Sequence, residues 1–168
     1  MRCGLYCFYY ISEVIMEKYM KLALEAAALC AERDEVPVGA VIVKNGEILA
    51  VCGNGRETDK DATAHAETSA IREACKKLGG WNLHDCELYV TLEPCLMCAG
   101  AIVNSRIEKV IFGASDEKGG AFGGMTDIRD LPLNHKPEIV SGVMKEECVK
   151  ILKDFFREKR ERGARWKK

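Results

Sequence analysis

The chain has 168 residues, 48% of them hydrophobic and 30% charged, with a formal net charge of −1. That length and apolar content suit one compact α/β domain and leave no need for a second. The near-neutral average carries no nucleic-acid footprint, and there are no repeats, linkers or low-complexity segments.

Residues 1–11 are apolar and aromatic, and the chain turns acidic at Glu13. The run is too short to span a bilayer, and no small-residue cleavage site of a signal peptide follows it. A helix is expected to begin near Met16, so residues 1–15 read as a non-essential extension, or translation starts at Met16. Residues 16–168 then form the single domain. Glu17 to Arg33 reads as an amphipathic helix, with Met20, Leu24, Ala27 and Ala28 along one stripe. Val38 to Val43 and Ile48 to Cys52 read as short strands, and Asn45-Gly46 between them is a hairpin turn. Residues 53–62 are polar and read as a loop. Thr63 to Leu78 reads as a helix that ends before Gly79-Gly80, and Glu87 to Leu92 as a strand. Pro94 to Asn104 reads as a helix with proline near its first position. Lys109 to Gly113 is a strand, and Ser115 to Leu133 a long loop rich in glycine and charge. Glu138 to Gly142 is a last strand and Lys145 to Arg162 a last helix. A hairpin followed by alternating helices and strands predicts a mixed sheet of about five strands with helices on both faces.

The nine cysteines are odd in number and show no disulfide framework. A reducing cytoplasm is the simpler home, with most of them small buried apolar residues. The charge is unevenly spread: the stretch from Arg157 to Lys168 is basic while the rest is acidic overall. Such a tail contacts phosphates or is a frayed, solvated helix end, and charge alone leaves both open.

Three stretches carry chemistry: Asn54, then Thr63-Ala64-His65-Ala66-Glu67, then Pro94-Cys95-Leu96-Met97-Cys98. One His and two Cys are three zinc ligands, and a catalytic zinc site wants three so that the fourth position stays open to water. Cys95 and Cys98 stand three apart on a helix, so their sulfurs share a face. The first turn of a helix favours the thiolates that zinc requires. His65 and Glu67 would diverge along an ideal helix. The metal is therefore expected over the helix N-terminus, with two such N-termini converging on it. Two thiolates make an electron-rich, less Lewis-acidic site, so its water needs Glu67 to carry protons. A redox pair is the bland reading of Cys-x-x-Cys, but Pro94 and Leu96-Met97 do not suit it. A structural Cys₄ site lacks its second Cys-x-x-Cys.

The His-x-Glu … Pro-Cys-x-x-Cys spacing is the signature of zinc-dependent nucleobase deaminases. The chain resembles, within them, the bacterial tRNA-specific adenosine deaminases, from about Met16 to about Arg160. The matching segments are Val36 to Val41, Thr63 to Glu67, Tyr89 to Cys95, Met97 to Ala101, Ser105 to Ile107, Phe112 to Ala114 with Asp116, Asn134-His135, and Asp154 to Arg157. The resemblance implies a three-layer α/β/α cytidine-deaminase-like fold. It implies hydrolytic deamination of the wobble adenosine of a tRNA anticodon to inosine. It also implies one Zn²⁺ per subunit on His65, Cys95 and Cys98, with Glu67 as proton shuttle. Substrate-binding positions carried over are Asn54, Ala66, Asp116, Lys118, Arg157 and Arg160. Asn54 would meet the flipped adenine and Lys118 the anticodon backbone, while Arg157 and Arg160 would meet the RNA stem. Family members are homodimers, and the Ala99 to Val103 face would serve that interface, although core packing explains it equally well. Departures are Gly53-Asn54-Gly55, where the family has bulkier neighbours, and the glycine-rich Gly119 to Gly124 with Phe122. His84 reads as an exposed histidine, and His135 matches a family position without a mechanism. A free-base or nucleotide deaminase such as a guanine deaminase is the alternative. A non-catalytic zinc-stabilised module is a third reading, against which Glu67 argues.

Overall fold

The structure, a computed structural model, describes residues 3–163, with side chains from Ser12 onward. The tail residues Arg165, Lys167 and Lys168, and the side chains of the aromatic N-terminal run, lie outside the described residues. Helix α1 (Cys3–Glu32) passes straight through the start expected near Met16. From Leu5 to Glu32 no glycine or proline interrupts it, so nothing local ends a helix there. Strands β1 (Gly39–Lys44) and β2 (Glu47–Gly53) form the expected hairpin. Asn45 and Gly46 have φ of 49° and 81°, the paired positive values of a type I′ turn. The loop expected over residues 53–62 contains a single helical turn, α2 (Arg56–Asp59). Then come α3 (Ala66–Leu78), β3 (Cys86–Leu92), α4 (Leu96–Ser105), β4 (Lys109–Ala114), β5 (Glu138–Ser141) and α5 (Lys145–Glu161). The long loop after β4 holds a 3₁₀ turn at Ile128–Asp130.

The five strands lie in the order β2-β1-β3-β4-β5. β1 is antiparallel to both β2 and β3, and β3, β4 and β5 run parallel. Alternate side chains take opposite faces. Ala40, Ile42, Leu88, Val90, Val110 and Phe112 pack with Ala66, Ala70, Ala99 and Ile102 of α3 and α4. Val41, Val43, Tyr89 and Ile111 pack with Tyr19, Met20 and Ala23 of α1 and Cys148 of α5. Both faces are covered, which is why the central strands are near-continuous apolar runs. The three layers and the mixed five-strand sheet agree with the sequence reading. No described helix is long and apolar enough to cross a membrane.

Strand directions place the site. β1 runs against β3, so the start of β1, the end of β2 and the end of β3 share one end of the sheet, with the end of β4 beside them. Gly39 lets α1 sit directly on that end: a Cβ there would lie 1.9 Å from the Ala23 carbonyl oxygen.

Candidate active site

The N-termini of α3 and α4 converge beyond the end of β3. His65 is the N-cap of α3 and Cys95 the N-cap of α4, both extended and neither making a side-chain cap hydrogen bond. The expected geometry is shifted by one residue, since these two ligands stand just before the first turn rather than within it. N-cap side chains ordinarily bond the helix's free N–H groups; here they turn toward each other instead. His65 Nδ1 lies 3.7 Å from Cys95 Sγ and 3.5 Å from Cys98 Sγ. A tetrahedral ion with bonds of ordinary zinc length separates sulfur and nitrogen ligands by about 3.6 Å. The three donor atoms all lie within 4.8 Å of one another, so the cluster fits such an ion.

The electrostatics agree. The Cys95 thiol is pulled down to about 3, chiefly by the Cys98 thiol beside it and also by the His65 hydrogen bond, against its burial. Cys98 is pushed up by Cys95, then by burial and by Glu67. His65 is raised, first by its bond with Cys95. Two sulfurs this close compete for one proton unless a cation lies between them, and two helix dipoles add positive potential at the same point.

Glu67, in the first turn of α3, is 4% exposed. Burial is the main cause that raises its pKa, with His65 opposing, so this carboxyl holds a proton more readily than a surface one. It lines a cavity of about 140 Å³ with Val36, Val38, Asn54, His65, Cys95 and Asp116. That volume is well below the roughly 300–1,000 Å³ of sites that enclose drug-sized ligands. The cavity takes one flat ring and leaves the rest of a substrate outside. A larger cavity of about 720 Å³ lies at the opposite end of the sheet, near Asn45, Glu87 and Glu108, and shares no residue with the cluster.

Two buried carboxylates that the sequence reading missed hold the residues around the cavity in place. Glu93, 3% exposed, accepts backbone N–H groups from Asp116, Phe122 and Gly124, each at 2.9 Å. A Cβ on Gly120 or Gly124 would fall about 2.3–2.5 Å from that carboxyl group. The glycine-rich loop is thus the shape needed to wrap Glu93, and Phe122 is buried in the core rather than in the pocket. Glu35, wholly buried, accepts from Asn54 Nδ2 at 3.2 Å and Thr58 N at 2.6 Å. The signal for Glu93 was a charge set in an apolar stretch, Leu92-Glu93-Pro94, whereas Glu35 ends the charged run Glu32-Arg33-Asp34-Glu35 and carried no such signal. Gly53 is accounted for as well, since a Cβ there would meet Cys30 Sγ at 2.2 Å.

The remaining expected residues divide. Asn54 and Asp116 line the cavity. Ala66 is fully buried in the core, between His65 and Glu67. Lys118 is exposed, and its N–H donates to Asp116 Oδ1 at 2.9 Å. Arg157 and Arg160 line a separate groove on α5 with Leu152, Lys153 and Phe156, and Arg157 pairs with Asp154 at 2.8 Å. His135 has a structural job: Nε2 donates to the Ile107 carbonyl at 2.6 Å while Asn134 accepts from Arg106 at 2.7 Å. His84 is exposed and 3.4 Å from Asp85.

Residues 15–160 match the family model described as MafB19-like deaminase, which places the chain among the deaminases built on this sheet. It is 54% identical over 152 residues to the tRNA-specific adenosine deaminase of Bacillus subtilis (strain 168), covering 89% of this chain and 94% of that one. It is 50% identical to the enzyme of that name from Aquifex aeolicus (strain VF5), over 86% of this chain and 95% of the relative. The chain belongs to the tRNA-specific adenosine deaminase family. A structure from a study of A-to-I editing by tRNA:A34 deaminases superposes with a TM-score of 0.77 at 46% identity, over 80% of this chain and 99% of that one. A guanine deaminase structure from Bacillus subtilis aligns over only 59% of this chain and 64% of its own, at 46% identity and a TM-score of 0.57.

Proposed function

We propose that this protein deaminates the wobble adenosine of a tRNA anticodon to inosine, with water as co-substrate and ammonia as co-product. The observation that carries the reading is the convergence of His65, Cys95 and Cys98 beside buried Glu67 in a cavity sized for a base alone. His65, Cys95 and Cys98 hold one Zn²⁺ per subunit, which when bound supplies the Lewis acidity that makes water nucleophilic near neutral pH. Glu67 takes a proton from the attacking water and passes it to a ring nitrogen. It then carries a proton to the leaving amine, so ammonia departs and a carbonyl replaces the amine. Its burial suits it to both accepting and returning the proton. Asn54 meets the base edge, Ala66 packs behind it, and Asp116 and Lys118 face the flanking nucleotides.

Arg157 and Arg160 sit away from this cavity, which supports an RNA site completed by a second subunit. Of the Ala99 to Val103 face expected at the dimer interface, Ala99, Ile102 and Val103 are buried in the core; Leu96 and Met97 beside it are exposed and nothing stands over Gly100 within 4 Å, which supports a homodimer through this end of α4. The family match begins at residue 15, which leaves residues 1–14 outside it and supports the expected N-terminal extension to within one residue. The seven cysteines whose side chains are described are all free, as a reducing cytoplasm allows.

The test compares an adenosine-bearing anticodon stem-loop with free guanine at equal enzyme concentration. Remote binding energy orients the reacting centre, so a flipped-base enzyme loses turnover on truncated substrates. Inosine from the stem-loop with little reaction on guanine is the expected result. Efficient guanine deamination without stem-loop activity would leave only the free-base reading.

A further inference from the structure

Glu35 stands behind Asn54 and decides which end of its amide the cavity sees. The main chain around Asn54 is fixed: its N–H donates to the Val38 carbonyl at 2.9 Å and its carbonyl accepts from the Cys30 thiol at 3.4 Å. The side chain is fixed as well. Nδ2 donates to Glu35 Oε2 at 3.2 Å, and Glu35 Oε1 is held by the Thr58 N–H at 2.6 Å. Burial raises the pKa of Glu35, but the hydrogen bonds from Thr58 and from the Glu57 backbone outweigh it, and the net displacement is downward. At neutral pH the group is therefore a carboxylate, which only accepts. Rotating the Asn54 amide by half a turn would set its oxygen against that carboxylate, so one orientation survives. In it the amino end is used by Glu35, which does not line the cavity, whereas Asn54 does. Oδ1 has no protein donor, and no buried side-chain oxygen or nitrogen among the described residues lacks a partner. Oδ1 is thus an accessible acceptor, on a residue that lines the cavity with His65, Glu67 and Asp116.

We propose that Glu35 is a positioning residue that fixes the polarity of the Asn54 amide, so that the cavity offers the base a carbonyl acceptor rather than an amino donor. This rests on the deaminase reading above. An acceptor at that point selects a base edge that donates, as an adenine amine does, and disfavours one that presents a carbonyl. A single buried carboxylate that never touches substrate thereby becomes part of substrate choice.

The test is a swap of hydrogen-bond polarity. In Glu35→Gln the side-chain oxygen stays on the Thr58 N–H, so the amino group faces Asn54 and turns its amide over. Stem-loop kcat/KM should fall about 10- to 100-fold, the scale of one mispaired buried hydrogen bond, while bound zinc and the melting temperature stay close to the parent's. Asn54→Asp alone sets two carboxylates face to face and should lose a similar factor. The double variant Glu35→Gln/Asn54→Asp restores a donor–acceptor pair with an oxygen toward the cavity. Its kcat/KM should return to within about tenfold of the parent, the non-additivity expected of residues in contact rather than of independent sites. Losses that simply multiply in the double variant would overturn the proposal, because Glu35 would then act only through the Thr58 loop. Full activity in Asn54→Ala would also overturn it while leaving the deaminase chemistry intact. A parent enzyme that forms no inosine from the stem-loop would instead remove the reading on which the proposal rests.

Discussion

Replacing Glu93 with Gln is the sharpest test of how the site is held. Its carboxylate accepts three backbone N–H groups at 2.9 Å, two on Oε1 and one on Oε2. Gln can keep an oxygen for Phe122 and Gly124, but its amino group then opposes the Asp116 N–H. One hydrogen bond to a charged group, worth about 1.5–3 kcal/mol, is lost, and two others drop to the neutral range of about 0.5–1.5 kcal/mol. Relief of a buried charge offsets part of this, leaving a net loss of about 2–4 kcal/mol. At this chain length that is roughly a 5–15 °C fall in Tm, readable by urea and thermal unfolding. Asp116 is the residue released, so KM for the stem-loop should rise more than kcat falls. A stability change under about 0.5 kcal/mol, the size of an ordinary surface substitution, would refute the view that Glu93 holds the loop.

Two further outcomes follow from single contacts. Gly53→Ala puts a methyl group 2.2 Å from Cys30 Sγ and should cost about 1–3 kcal/mol by overpacking. Urea unfolding of Gly53→Ala/Cys30→Ala should show less than the sum of the single losses, and strict additivity would mean that the two sites do not touch. On α5, Lys159 is engaged by Asp34 at 2.5 Å whereas Arg160 is exposed. Arg160→Ala should flatten the dependence of log affinity on log salt by slightly under one unit and Lys159→Ala should not; equal slopes throughout would mark the helix end as merely solvated.

Much of this was legible in the sequence because its signals are local. Asn45-Gly46 specified the hairpin, the apolar runs around Leu88 and Val110 specified covered strands, and the His65, Cys95 and Cys98 spacing specified the cluster. The first helix starts earlier than the sequence suggests because acidic Glu13 and the aromatic run look like a boundary, yet no glycine or proline interrupts the chain there. Glu35 and Glu93 were missed for a different reason. Apart from the Asn54 amide, their partners are backbone N–H groups 23 to 31 residues away, which no residue type announces. The glycines of the loop after β4 looked like a departure until Glu93 was seen inside it. Arg157 and Arg160 fell on α5, away from the cavity, because a helix carries its side chains where the core packing of Cys148 and Phe155 puts it.

The proposed deamination rests on the His65–Cys95–Cys98 cluster and Glu67 acting together. The direct measurement is single-turnover inosine formation on the anticodon stem-loop by the parent and by Glu67→Gln, each with its bound zinc quantified. Expected are about one zinc per chain in both proteins and a rate lower by about 10²–10⁴-fold in the variant, the contribution of a positioned acid–base group. A zinc-loaded Glu67→Gln enzyme that forms inosine at the parent's rate would contradict that dependence.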